Sequence, residues 1–243
     1  MPLKGLFIGI DRYASPGINW LNCARRDARA LHGLFMDSMG GETALLTDEQ
    51  ATSAAIAEEF RKLFSAAPDD VVVIAFSGHG SETHEIVTFD TDPYNLAGTS
   101  IPLATIGEWC ARTRCRRLLV ILDCCFSGGM GAKALQVDAH ARALDSVDTE
   151  LNRISGEGRV VLTASGPAQK AWESERSGHG FLTLYLIEAL QGPAEIRQPG
   201  APHQNGRHER MHLTLKKEAT KPAAANFLQQ QARFDKFIEV FNQ

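Results

Sequence analysis

Apolar positions along residues 1–190 alternate between two patterns, short continuous runs and runs at helical spacing. Residues 3–10 (LKGLFIGI) form an apolar run that stops at Asp11 and reads as a buried strand. Residues 22–39 carry Ala24, Ala28, Leu31, Leu34 and Phe35 at helical spacing, and Gly40-Gly41 ends that helix. A short strand follows at 43–46. Thr52 caps a helix over 52–66, whose apolar face holds Ile56, Phe60 and Leu63. Residues 71–76 (VVVIAF) are too apolar to face water on either side, so this strand belongs in the middle of a covered sheet. Residues 86–89 predict a short edge strand or hairpin arm, and 103–113 a helix. Residues 118–122 (LLVIL) predict a second buried strand, 160–163 a further strand and 181–190 a helix. This alternation predicts an α/β fold, a three-layer α-β-α sandwich around a mostly parallel central sheet.

The rhythm breaks twice. Residues 128–158, with Gly128, Gly129, Gly131, Gly156 and Gly158, read equally as a loop or as a loop with a helical middle. Residues 193–222 hold Pro193, Pro199, Pro202 and Pro222 among Gly, Asn and His, the composition of a linker. Beyond it, Phe227, Phe234, Phe237, Ile238 and Phe241 predict a terminal amphipathic helix that docks on this domain or on a partner. The expected organisation is therefore a domain over 1–192, a linker over 193–222 and a helix over 223–243.

Composition narrows the classes. At 243 residues with 44% hydrophobic and 22% charged residues, one globular domain with a tail is expected. The net charge of −4 argues against a nucleic-acid binder, which would carry a basic surplus. No run of 18 apolar residues suggests a membrane span, and the first residues lack a signal-peptide pattern. The five cysteines are too few and too unevenly placed for a disulfide scaffold, so a reduced, cytoplasmic setting is expected.

In an open α/β sheet, reactive groups collect beyond the carboxyl ends of the strands. Residues 71–76 run into Ser77-Gly78-His79-Gly80, and residues 118–122 run into Asp123-Cys124-Cys125-Phe126-Ser127-Gly128-Gly129. If these strands are neighbours, His79 and one cysteine share an edge, as a nucleophile with its general base does. The Gly80 amide and the amide of the nucleophilic cysteine are natural oxyanion donors. Zinc is a poorer reading of His79, Cys124 and Cys125, since no C-x-x-C pair and no obvious fourth ligand accompany them.

FSGHG followed by LDCCFSGG, 46 positions apart from His79 to Cys125, resembles the caspase–metacaspase family. DCCFSGG is most similar to the D-x-C-x-S-G motif of metacaspases and bacterial orthocaspases. GIDRY and LNCARRDARAL resemble two further segments of that family, and the resemblance covers roughly residues 3–190. It implies a caspase-like fold and a cysteine endopeptidase, with Cys125 as nucleophile and His79 as its partner. It also implies an acidic S1 pocket formed by Asp27, Asp123 and Ser77, hence cleavage after Arg or Lys. Two carboxylates in a desolvated pocket repel unless a cation joins them, and a substrate guanidinium or ammonium does so.

TASGPAQKAWE, residues 163–173, resembles the family's groove-bordering loop, with Trp172 as an aromatic wall for a P2 or P3 side chain or as a loop anchor. His179, in a second SGHG, reads as structural. Several metacaspases require calcium, but Asp90 and Asp92 alone are too few oxygens for that ion, so neither a metal nor an organic cofactor is expected. Self-cleavage at Lys133, Arg142 or Arg153 would match the expected preference. The resemblance also implies regulated proteolysis of a protein substrate, in cell-death, stress or defence signalling, with an activating or regulatory protein partner. The rivals are a catalytically silent caspase-like interaction module and a CHAT- or separase-type protease of the same broad fold.

Overall fold

Strand β1 (Leu3–Gly9) alternates its side chains between the two faces of a central sheet. Leu6 and Ile8 join one apolar cluster, while Leu3 and Phe7 join another. The same period-2 split recurs in β3 (Val71–Ser77) and β7 (Arg117–Asp123). In β3, Val72, Ile74 and Phe76 face one way, and Val73 and Ala75 the other. In β7, Leu118, Val120 and Leu122 oppose Ile121. A strand apolar on both faces must be covered on both, and the helices supply the covers.

The computed structural model describes residues 2–126, 134–135, 151–152, 154–164, 173–174 and 178–191. Helix α1 (Ala24–Met39) brings Leu31 and Phe35 to the Leu3–Phe7 face, joined by Leu182, Leu186 and Ile187 of α5 (Phe181–Gln191). Helix α2 (Ser53–Leu63) brings Ile56, Phe60 and Leu63 to the opposite face, with Ile106 and Cys110 of α4 (Leu103–Arg112). A short helix, α3 (Leu96–Thr99), lies between them in sequence. Thr52 caps α2 as its sequence predicts, its side chain accepting the Ala55 N–H at 3.2 Å.

With β2 (Gly41–Thr47) and β9 (Arg159–Thr163), the central sheet has five strands in the order β2-β1-β3-β7-β9, all parallel. The architecture is thus the predicted α/β sandwich. Two small sheets accompany it. One orders β6 (Ile101–Pro102), β5 (Glu85–Ile86), β4 (Gly80–Ser81) and β8 (Ala134–Leu135). The other pairs β10 (Glu173–Ser174) with β11 (His179–Gly180). The predicted strand at 86–89 shrinks to the two-residue β5, because Thr88, Asp90 and Thr91 bond to one another in a turn.

The chain divides into a compact unit Met1–Ile187 and a second unit Glu188–Gln243. The linker expected at 193–222, the helix expected at 223–243, Trp172, and Lys133, Arg142 and Arg153 lie outside the described residues. Among the described residues, no helix is long and apolar enough to cross a membrane.

The strand order reverses between β1 and β3, where the chain leaves β1 toward β2 on one side and later returns to β3 on the other. Loops leaving adjacent strands at such a reversal open a crevice beyond the carboxyl ends, where ligands bind in folds of this kind.

Candidate active site

Strands β3 and β7 pair in register, with Ser77 opposite Asp123, and the Gly78 N–H extends the ladder to the Asp123 carbonyl at 3.3 Å. His79 and Cys125 each follow their strand's last residue by two positions. Parallel, in-register strands therefore deliver both to the same edge, as expected for neighbouring buried strands. Gly80 lies against the Cys125 backbone so closely that a Cβ there would overlap the Cys125 carbonyl oxygen. Any side chain at position 80 would push the two turns apart. His79 is 3% exposed and Cys125 is 0% exposed, so both are enclosed.

The imidazole is held from the loop that leaves β1. His79 Nε2 lies 2.8 Å from the Asn19 carbonyl oxygen. A carbonyl only accepts, so Nε2 carries the hydrogen and the neutral ring keeps its lone pair on Nδ1. The His79 backbone N–H donates to the Tyr13 hydroxyl at 2.9 Å, which itself donates to the Ile10 carbonyl at 3.3 Å. The two rings pack with centroids 5.2 Å apart. Burial drives the Tyr13 phenol far above its usual pKa, outweighing the opposite pull of the His79 bond, so it stays a neutral donor.

Asp48 fixes the start of this loop. Buried and at φ 45°, it accepts the Asp11 and Arg12 N–H groups at 2.9 and 3.2 Å through Oδ1, and Arg25 at 2.9 Å through Oδ2. The predicted caspase-like segments 9–13 and 21–31 thus meet at one buried carboxylate. Sequence reading missed Asp48 and the Asn19 carbonyl. A backbone acceptor leaves no side-chain signature, and an aspartate after a strand looks like any turn residue.

The two carboxylates expected in a pocket converge on β11 and the start of α5. Asp27, in the first turn of α1, is 0% exposed, and Asp123, the last residue of β7, is 1% exposed. Asp27 Oδ2 accepts the Ser77 hydroxyl at 3.2 Å and the Gly180 N–H at 3.1 Å. Its Oδ1 lies 2.7 Å from His179 Nδ1. Asp123 Oδ2 accepts the Thr183 hydroxyl at 2.7 Å and the Thr183 N–H at 3.4 Å, in the first turn of α5 where the helix dipole favours a negative charge. Gly180 sits where a Cβ would overlap Asp123 Oδ2, so this glycine lets both carboxylates reach the same backbone. Ser77, Asp27 and Asp123 are therefore brought together. His179, read from sequence as structural, belongs to the same cluster.

Asp90 and Asp92 are engaged in turns, Asp90 with the Ser53 N–H and the Thr88 hydroxyl, Asp92 with the Tyr94 N–H. Among the described residues, no group of three or more His, Cys, Asp or Glu side chains is arranged to hold a metal ion.

Comparison with known proteins agrees with this architecture. A family profile described as Caspase domain matches residues 4–231. No curated protein sequence matches the chain. Among solved structures, the crystal structure of protein GSU0716 from Geobacter sulfurreducens is similar at a TM-score of 0.57. The match has 14% identity and covers 79% of this chain and 82% of that one, a likeness of fold.

Proposed function

The chain belongs to the caspase-domain family, and on that premise we propose that it is a cysteine endopeptidase that cleaves protein substrates after Arg or Lys. The observation that carries this reading is the in-register pairing of β3 with β7, which sets His79 and Cys125 at equal distance beyond one edge. Their separation in sequence gives no hint of that equality.

The chemistry follows from the tautomer. With Nε2–H donated to Asn19, His79 Nδ1 takes the Cys125 thiol proton, and the thiolate attacks the scissile carbonyl carbon. The amides of Gly80 and Cys125 stabilise the oxyanion. The imidazolium then protonates the leaving amine, the C–N bond breaks, and a thioester remains on Cys125. Water, deprotonated by the same imidazole, hydrolyses the thioester and returns the thiol. The Asn19 carbonyl stabilises the imidazolium and fixes the ring plane, work that a third side chain does in other triads.

Asp27 and Asp123, joined by Ser77, supply the negative charge for a P1 guanidinium or ammonium. Their burial favours this use, because carboxylates in a water-poor site bind a cation strongly. The enclosure of Cys125 and His79 suits a second reading, an interaction module whose dyad is silent. Regulated proteolysis in cell-death, stress or defence signalling, with a protein partner that opens the site, remains part of the first reading.

Hydrolysis of fluorogenic peptides ending in Arg, Lys or Asp separates these readings. Turnover after Arg or Lys, abolished by Cys125→Ala, is expected. Turnover after Asp would overturn the acidic pocket, and silence on every peptide from a correctly folded chain would favour the silent module.

A further inference from the structure

The acid cluster contains a group the cleavage chemistry does not use. His179 Nδ1 is 2.7 Å from Asp27 Oδ1, and the two residues are 152 positions apart in the chain. The His179 side chain is 15% exposed, whereas that of Asp27 is 0% exposed. Solvent therefore reaches the imidazole before it reaches the carboxylate. Ser77 and Gly180 also bond to Asp27, and of these three donors, all among the described residues, His179 is the one whose charge can change.

We infer that His179 is a pH-dependent guard of the acidic subsite, a conclusion that rests on the Arg/Lys reading of that subsite. A neutral imidazole donates Nδ1–H to Asp27, orients it, and leaves the cluster's negative charge for an incoming Arg or Lys side chain. A protonated imidazole occupies that charge itself. The cluster then has its cation, and a second cation from the substrate meets repulsion as well as a neutralised carboxylate. Proton and P1 side chain compete for the same carboxylate.

The other charged groups around His179 fit this assignment. From α1, the Asp27 carboxylate lies on the ring, and the Arg26 guanidinium lies against Gly178, the preceding residue. From β7, Asp123 approaches Gly180, one residue along the chain. From β10, Ser174 pairs with His179 and Glu173 with Gly180 in the antiparallel ladder.

The guard differs from a structural histidine in what it does to substrate binding. A structural bond to Asp27 would alter stability and leave the pH dependence of KM with the carboxylates. A guard makes KM for Arg- and Lys-ended peptides rise on acidification by as much as about tenfold per pH unit below the His179 titration. The kcat profile follows the dyad and stays common to both forms.

The test compares the full-length protein with His179→Gln on an Arg-ended fluorogenic peptide between pH 5.5 and 8. A KM that climbs about tenfold toward acid in the parent and less than about twofold in the variant supports the guard. Equal KM profiles overturn it and leave the peptidase reading intact. In parallel, the imidazole resonance of His179 is titrated by NMR in the unaltered protein with and without agmatine, a guanidinium probe. Agmatine lowering the pH at which His179 titrates supports competition, and an unchanged titration overturns it. That arm decides if the variant fails to fold. It also decides if no Arg or Lys peptide is cleaved, in which case the peptidase reading falls separately.

Discussion

His79 is held by Tyr13 and Asn19, from the loop leaving the strand next to its own, whereas Asp27 is held by His179 and Gly180 from a segment 152 positions away. The nucleophile end of the site is thus a product of local topology, built where the sheet order reverses, and the bonds that Tyr13 and Asn19 make to His79 are neutral. The acidic end is assembled from α1, β3, β7 and the start of α5, and its bonds involve charge. The bonds from Tyr13 and Asn19 to His79 should therefore respond less to ionic strength than those around Asp27. On the proposed peptidase reading, catalysis and specificity are therefore separable.

The strongest way to break that separation is at the dyad. Cys125→Ala and His79→Ala should each lower kcat/KM by at least about 10³-fold on every cleaved peptide. Cys124→Ala should leave P1 preference intact, because Cys124 belongs to the apolar cluster beneath the site. A loss of similar size in Cys124→Ala, measured on the same peptides, would put the nucleophile one residue earlier.

Asp123→Ala tests the other end. Removing one buried partner of the cluster should reduce kcat/KM for Arg-ended peptides about 10²-fold or more. The Thr183 hydroxyl and N–H also lose their acceptor, so the melting temperature should fall. An unchanged ratio of Arg to Asp cleavage would contradict the pocket.

Tyr13→Phe sharpens the comparison because it touches the nucleophile end alone. It leaves the buried His79 N–H without its hydroxyl acceptor, which should cost about 1–3 kcal/mol of stability in denaturant unfolding. kcat should drop while P1 preference stays as it was. A change in preference would mean that the two ends are coupled.

The last effect concerns a thiol remote from both and is absent at neutral pH. Burial pushes the Cys110 thiol up from 9.0 to about 12, and Arg159, whose guanidinium bonds the Cys110 and Thr113 carbonyls, only partly offsets this. An acid whose folded pKa is raised keeps its proton in the fold but loses it when unfolded. Stability should therefore fall between pH 9 and about 12, by about 1.4 kcal/mol per unit for this group. The raised Tyr13 phenol adds in the same direction above its own usual range. Cys110→Ala should flatten the slope of unfolding free energy against pH.

Much of the fold was legible because β1, β3 and β7 are apolar on both faces, which only a covered parallel sheet allows. The helix ends were readable through Thr52 and the Gly40-Gly41 pair, chemistry confined to a few residues. The two-residue strands β4, β6, β8, β10 and β11 were not, since two residues carry no period. In the candidate site, His79 and Cys125 were visible because each ends a strongly patterned strand. The Asn19 carbonyl, Asp48 and the Asp27–His179 bond were not, because they depend on which distant segments fold back against the strand ends. The reading of His179 as structural missed its place on Asp27 for that reason.

Covalent capture tests the central claim most directly. A peptidyl-arginine chloromethyl ketone reacts only where an S1 subsite for a cation lies beside a reactive thiolate. Incubation of the full-length protein with this reagent and with its aspartyl counterpart, followed by peptide mass spectrometry, locates the thioether. The account predicts a single adduct on Cys125 with the arginyl reagent and none with the aspartyl one. An adduct on Cys124, or preferential labelling by the aspartyl reagent, would contradict it.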